Sequence, residues 1–566
     1  MPRTDLTLLH PPTTLRFREL PIFHGPISDV VPSSSIFEIY PIGFLTISEY
    51  LHRHGISVRI VNIAMKMLKD RSFDPERFIM GFDSVAFGID LHWLPHVDGS
   101  LDLAEIIKKH HPERPVILGG LTATYYYDEI MRDYPFVDFI VCGDSTEEPL
   151  RMLMDAIKSG GGYESIPNLV WRKDRNKIVN EMSYKPENLD YISFDYSHLL
   201  KMAIKYRDMT GYMPFKDWLS YPVTAVFQCR GCYHNCGSCA GSLYAFRRLC
   251  KRERPAFRSP ELLAGDIRDI SEFTGAPVML IGDLLQAGHS YAERFLEIIK
   301  RYNIDNEIAI EFFNPPPESF IRKVADSINY YNVEISPESH DQKVREAFGK
   351  HYTNEQLEKS IETLLSEGCR RVDMFFMIGL PYQDYSSVMD TVGYCEELLK
   401  EYGQSILPMI APLAPFIDPG SPIFENPERY GYRFFYRTLR EHRQAMLMPS
   451  WKLALNYETE WMKRDDIVRA TYDAASMLLD IKVKYGIIEK GRAEGLKGYI
   501  RKAVELIKKL DDSGETEGSI KTEIVRLNSI ASICDKHELE WPVRGWRLNP
   551  SGIFRLITEL FFGNHR

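Results

Sequence analysis

The chain has 566 residues, too many for one ordinary core. It is 44% hydrophobic and 26% charged, the balance of a soluble globular protein of two to four domains. A formal net charge of −10 leaves no broad basic face for a phosphate backbone, so nucleic acid is not an expected partner.

The N-terminus, MPRTDLTLLHPP, has no apolar signal core, and no apolar run approaches the roughly 20 residues of a bilayer span. A cytoplasmic protein without stable membrane insertion is expected. Residues 1–155 then alternate strand-like and helix-like segments. DLTLLH, SVRIVNI, SVAFGID, PVILGG and VDFIVCG read as strands, with YPIGFLTISEYLHRHG and LDLAEIIKKHH as helices between them. Repeats of this length predict an α/β domain with a doubly wound, Rossmann-like parallel sheet, which binds ligands at the carboxyl ends of its strands. Residues 156–221 break the rhythm and are expected to form a linker with a small hairpin, IPNLVWR and KIVNEM.

Residues 222–425 resume the alternation. VTAVF, PVMLIG, EIAIEFF, YYNVEIS, RVDMFFMIG and ILPMIAP predict six strand–helix units, a partial parallel barrel with active residues at the strand ends. Residues 426–566 carry few strand signals. Periodic stretches such as RAEGLKGYIRKAVELIKKL predict a mostly helical C-terminal domain. Its aromatic clusters, at 430–436 and 451–461, suit a helical core packed over the barrel mouth on the substrate side.

Four of the nine cysteines, Cys229, Cys232, Cys236 and Cys239, fall within eleven residues directly after the first barrel strand. Such crowding points to a metal or cluster before disulfides. Cys232, Cys236 and Cys239 have the spacing C-x3-C-x2-C. Three thiolates on one loop can hold three irons of a cubane and leave the fourth iron open to chelate S-adenosylmethionine. Two C-x2-C pairs also satisfy a structural zinc site, the competing reading.

With the sheet domain in front, this pattern resembles the cobalamin-binding branch of the radical S-adenosylmethionine enzymes over about residues 1–425. The resemblance implies a 4Fe-4S cluster on Cys232, Cys236 and Cys239, with Cys229 outside the triad. It implies S-adenosylmethionine contacts at Tyr233, at Ser238 (where the family usually has an aromatic residue), and at Gly282-Asp283 in place of a Gly-Gly-Glu element. Further contacts are implied at Ser336 and Glu338, at Arg345 as partner of the methionine carboxylate, and at Gly379 beside adenine.

No G-x-G-x-x-G follows the first strand, which speaks against a nicotinamide site. The resemblance instead implies cobalamin contacts at Tyr40, Gly43, Gly119, Gly120, Gly143 and Glu147. The Asp-x-His-x-x-Gly loop that often ligates cobalt is missing. Asp90-Leu91-His92 follows the third strand with Pro95 at the glycine position, so no standard histidine ligand is expected, and His92, Trp93 and His96 become candidates for the lower corrin face.

The implied activity is methyl transfer from S-adenosylmethionine through methylcobalamin to an unactivated sp3 carbon. No catalytic side-chain base is required, and a ferredoxin- or flavodoxin-type donor is implied. The substrate is expected to be a protein, a peptide or a small molecule. One candidate is a glutamine of methyl-coenzyme M reductase. Ring formation or carbon–carbon coupling on an archaeal lipid or small molecule is the alternative.

Overall fold

The structure is a computed structural model and describes residues 3–26, 42–174, 176–215, 218–412, 416–513 and 518–528, with isolated positions near the C-terminus. All five N-terminal strands form: β1 (Thr4–His10), β2 (Val58–Asn62), β3 (Ser84–Asp90), β4 (Val116–Gly119) and β5 (Phe139–Val141). They are parallel in the order β2-β1-β3-β4-β5. Helices cover both faces, so a strand such as β2, VRIVN, is buried along its whole length.

The hairpin expected in a linker belongs to this sheet. Its strands β6 (Leu169–Lys173) and β7 (Asn176–Val179) add antiparallel to β5. Leu169, Val170 and Trp171 are buried apolar residues. They had to pack on something, and the open edge of β5 accepts them. The strand order reverses between β1 and β3, whose last residues are His10 and Asp90. Sheets of this order bind ligands at that crevice.

The six barrel strands also form, in simple sequential order and all parallel: Thr224–Phe227, Val278–Ile281, Ile308–Phe312, Tyr331–Glu338, Val372–Ile378 and Ile406–Pro412. Their outward residues join one core cluster with the surrounding helices and much of the C-terminal region. That region is helical over Arg464–Lys484, Lys490–Ser513 and Gly518–Asn528. It also has a two-stranded antiparallel ladder, Tyr432–Phe434 with Tyr457–Thr459, which the sequence reading did not anticipate. Among the described residues, no helix is long and apolar enough to cross a membrane.

Candidate active site

The cluster loop leaves the first barrel strand through Cys229 and Arg230, which pair antiparallel with Ala256 and Phe257. Gly231 then turns the chain at φ +87°. The loop is pinned from several sides. The Gly237 N–H donates to the Phe348 carbonyl at 2.8 Å, and its own carbonyl accepts from the Ile423 N–H at 2.9 Å. Asn235 Oδ1 accepts from the Tyr244 N–H at 2.8 Å. Ser242 caps the helix Leu243–Leu249 that follows.

Within this frame the His234 N–H donates to Cys232 Sγ at 3.3 Å and the Gly241 N–H to Cys239 Sγ at 3.2 Å. Such bonds favour a thiolate and tune a cluster's potential. Burial pushes the Cys232 thiol up to about 12, so a metal must displace a proton to bind. Among the described residues, no three of the four sulfurs lie within 4.8 Å of one another. A tetrahedral zinc–thiolate site needs sulfurs about 3.8 Å apart. Cys229 Sγ instead donates to the Gly231 carbonyl at 3.5 Å and lies against Gly282.

The ends of barrel strands two to five converge beside this loop. Gly282 has φ +98°, and a Cβ there would come within 3.2 Å of Gln228 and 3.4 Å of Cys229 Sγ. Its N–H donates to Glu311 Oε2 at 2.9 Å. Both oxygens of Asp283 accept backbone N–H groups, from Leu285 at 2.9 Å and Phe313 at 3.0 Å, while burial pushes its carboxyl up to about 6. Glu338, at φ +67°, is a non-glycine residue in the left-handed region, and such strain clusters at ligand sites. Its Oε1 is paired with Lys350 Nζ at 2.9 Å, whereas Oε2 is buried without a partner. Lys350 also donates to the Ser336 carbonyl. Burial opposes its charge most strongly, but Glu338, Tyr352 and Cys236 together outweigh burial and raise its pKa. The ammonium also acts on Cys236, Asp283 and Glu311.

Arg345, expected on the methionine carboxylate, is turned elsewhere. Its guanidinium is fully buried and donates to the carbonyls of Tyr352 and Ser339 and to Asn354 Oδ1. Lys350 is the cation that faces the site. The sequence reading missed it because a Gly-Lys pair after an amphipathic helix looks like an ordinary helix end. Gly349 allows the approach: a Cβ there would lie 2.9 Å from the Asn235 carbonyl. Tyr233 is half-exposed, with its N–H on Gln286 Oε1 at 2.9 Å, and Ser238 is partly buried next to Cys239. Gly379, at φ +97°, is closed over by the C-terminal ladder. Its carbonyl accepts from the Tyr432 hydroxyl, and a Cβ would meet Tyr457 Oη at 2.7 Å.

At the switch point of the first sheet, His10 Nδ1 donates to Asp90 Oδ1 at 3.0 Å, and His96 Nδ1 lies 3.9 Å from Asp90 Oδ2. Burial disfavours the Asp90 carboxylate, but the two histidines outweigh it and hold its pKa below the ordinary range. His92 is pushed down to about 4 by burial and is neutral at pH 7. Trp93, edge-on to His92, is 45% exposed, so its ring is available to a ligand. His96, offered for the lower corrin face, is fully buried.

The glycines divide. Gly43 opens the helix Gly43–Arg53 with free space beside it, and Gly119 is in ordinary contact with Val141. Gly120, at φ +109°, packs on backbone: a Cβ would lie 2.6 Å from His92 Cα. Gly143, at φ +96°, donates its N–H to Thr124 Oγ1. Tyr40 lies outside the described residues.

Glu147 has a different partner from the one expected. Arg230, inside the cluster run, grips it with both guanidinium nitrogens, at 2.5 and 2.9 Å. The carboxylate is 1% exposed. Thr46, Ser145 and Tyr191 complete the arginine's hydrogen bonds. The cluster loop is thereby tied to the helix that follows β5. The signal was in the sequence, as a lone arginine between two of the clustered cysteines.

Comparison with known proteins bears on the two domains rather than on single residues. Residues 29–151 match the B12 binding domain, and residues 227–395 match the radical SAM superfamily. An uncharacterised methyltransferase of Pyrococcus horikoshii is 25% identical over 351 residues, 61% of this chain and 71% of that protein. The anaerobic magnesium-protoporphyrin IX monomethyl ester cyclase of Rubrivivax gelatinosus is 22% identical over 298 residues, 51% of this chain and 50% of that one. The fold is shared with the radical S-adenosylmethionine methyltransferase TsrM of Kitasatospora setae, solved with cobalamin and a [4Fe-4S] cluster. There the TM-score is 0.57 at 14% identity, over 84% of this chain and 89% of that one. It is also shared with the cobalamin-dependent enzyme OxsB, at a TM-score of 0.52 and 12% identity, over 98% and 79%. The chain therefore joins a B12-binding domain to a radical S-adenosylmethionine domain, and it shares its fold with cobalamin-dependent enzymes of that kind.

Proposed function

We propose that the enzyme transfers a methyl group from S-adenosylmethionine, by way of cobalamin, to an unactivated sp3 carbon. The observation that carries this reading is the Arg230–Glu147 pair, because it joins the loop that bears the cluster cysteines directly to the B12-binding domain. When bound, the cluster supplies the electron that cleaves S-adenosylmethionine to a carbon radical, and cobalamin supplies the stored methyl group. The chain's own contribution is placement. Cys232, Cys236 and Cys239 would hold the cluster. Lys350 stands ready for the methionine carboxylate, and Gly282 lets the backbone come close beside Glu311. His92, Trp93 and the open end at Gly43 would border the corrin. The C-terminal ladder over Gly379 keeps water from that side of the barrel mouth. No side chain is assigned as a general base. A peptide or protein side chain remains the first choice of substrate, with a glutamine of methyl-coenzyme M reductase as one candidate, and a ferredoxin or flavodoxin as electron donor.

The likeness to a ring-forming cyclase supports a second reading, cyclisation or coupling. Anaerobic incubation with methyl-deuterated S-adenosylmethionine and cell extract separates the two. Methyl transfer gives 5′-deoxyadenosine together with a product carrying a deuterated methyl group. Deoxyadenosine with unlabelled product two hydrogens lighter would establish ring formation instead.

A further inference from the structure

The inner face of the barrel carries more acid than its cations offset. Along the fourth strand Asn332, Glu334 and Ser336 alternate with Tyr331, Val333 and Ile335, which pack outward in the core. The first three therefore face the lumen. Glu334 is in register with Glu311 on the third strand and with Asp373 on the fifth. Same-face residues in register sit about 5 Å apart. Arg371 is already gripped by both oxygens of Asp373. Lys350 belongs to Glu338 at the rim, four residues further along the strand, roughly 13 Å away at 3.3 Å per residue. The inward residues of strands five and six (Phe375, Met377, Met409 and Ala411) are partly exposed while their outward neighbours are buried, so solvent reaches the lumen.

A second feature stands beside Glu334. Asn332 is fully buried, and neither atom of its side-chain amide has a hydrogen-bond partner. A buried amide left so is destabilising unless a ligand satisfies it. A carboxyl and an amide, set in a wall of methionine, phenylalanine and alanine, suit an apolar molecule that ends in a cationic nitrogen.

We propose that the barrel lumen binds the substrate through an ammonium or guanidinium group held by Glu334, with Asn332 accepting a further N–H. This rests on the radical-enzyme reading, which puts the reacting carbon at the barrel mouth, and it favours substrates that carry a cationic amine or guanidine over the neutral glutamine. Burial, with Asp373 and Glu311 adding to it, pushes the Glu334 carboxyl up to about 8, and a cation would draw it back down. The groups facing it are Glu311, Asp373, Arg371 and the Trp541 indole.

The test is equilibrium dialysis of n-hexylammonium, hexanol and hexanoate against the anaerobic holoenzyme with S-adenosylmethionine. Hexylammonium should bind at least tenfold tighter than the other two. Its binding should tighten from pH 7 to pH 8.5 as Glu334 ionises, since an alkylammonium stays protonated to roughly pH 10.4. Glu334→Gln should lose that preference and Glu334→Asp should keep most of it, with iron and corrin content confirming the fold. Equal binding of hexanol by the native enzyme would overturn the proposal, and so would an unchanged Glu334→Gln variant. It would also fail if Glu334→Gln weakened S-adenosylmethionine and the amine by the same factor. None of these readings needs turnover, so loss of the methyl-transfer reading would show separately, in the isotope experiment.

Discussion

The two parallel sheets of this enzyme end in different chemistry. At the switch point of the first, the one acid is flanked by histidines: Asp90 is held by His10 through Oδ1, with His96 close to an Oδ2 that has no hydrogen-bond partner, and His92 is kept neutral by burial. At the mouth of the barrel, Glu338 Oε2 and the Gln228 amide are buried without partners, and Lys350 reaches toward several acids at once. A surface that balances its own charge suits a large ligand recognised by shape. A surface where one lysine serves several acids suits a small zwitterion whose charges finish the network. The same strand-end rule thus serves both cofactors by opposite means.

The comparison breaks most sharply at the cysteines. Replacing Cys232, Cys236 or Cys239 with alanine should reduce iron from about four per chain to a trace and abolish 5′-deoxyadenosine formation, while leaving corrin binding intact. Cys229→Ala should retain the iron. Iron analysis with electron paramagnetic resonance decides it, and a cluster lost from Cys229→Ala but kept in one of the other three would reassign the ligands.

An intermediate effect is expected where the two regions meet. Arg230→Met strands a buried Glu147 and should cost about 3–5 kcal/mol in denaturant unfolding. Arg230→Met combined with Glu147→Leu should recover most of that stability. If the pair also sets the separation of the cofactors, the double variant should still show altered magnetic coupling between cob(II)alamin and the reduced cluster. Native coupling in a refolded double variant would confine the pair to stability.

The smallest effect is expected at the first sheet. His92→Gln should change corrin content less than twofold, and the cob(II)alamin spectrum should show no nitrogen superhyperfine splitting in either form. Because burial pushes His92 down to about 4, it stays neutral above pH 5.5, and the spectrum should stay constant from pH 5.5 to 8. Splitting that vanished in His92→Gln would make the imidazole a cobalt ligand.

Much of this was legible beforehand, and the reason is periodicity. All eleven parallel strands and the cysteine loop announce themselves through runs of Val, Ile, Leu and Phe and through fixed spacing. What stayed hidden depends on side chains meeting across the fold. Whether Arg345 or Lys350 faces the barrel mouth is decided by the turn after one short helix, Gln342–Phe348. The resemblance offers Glu147 to cobalamin, and only the docking of the two regions brings Arg230 to it. Glu311 and Glu334 look like the polar beats of ordinary half-exposed strands. They become a matched pair only when register is known.

The hairpin of β6 and β7 also bears on how the enzyme can be dissected. A cut after residue 155, where the strand–helix rhythm stops, would strip the partner from β5 and leave its backbone edge bare beside buried apolar neighbours. Bare edges of that kind invite pairing between copies. A fragment meant to carry the B12-binding half in soluble form therefore needs its C-terminus beyond Val179, so that β6 and β7 still close the edge of β5.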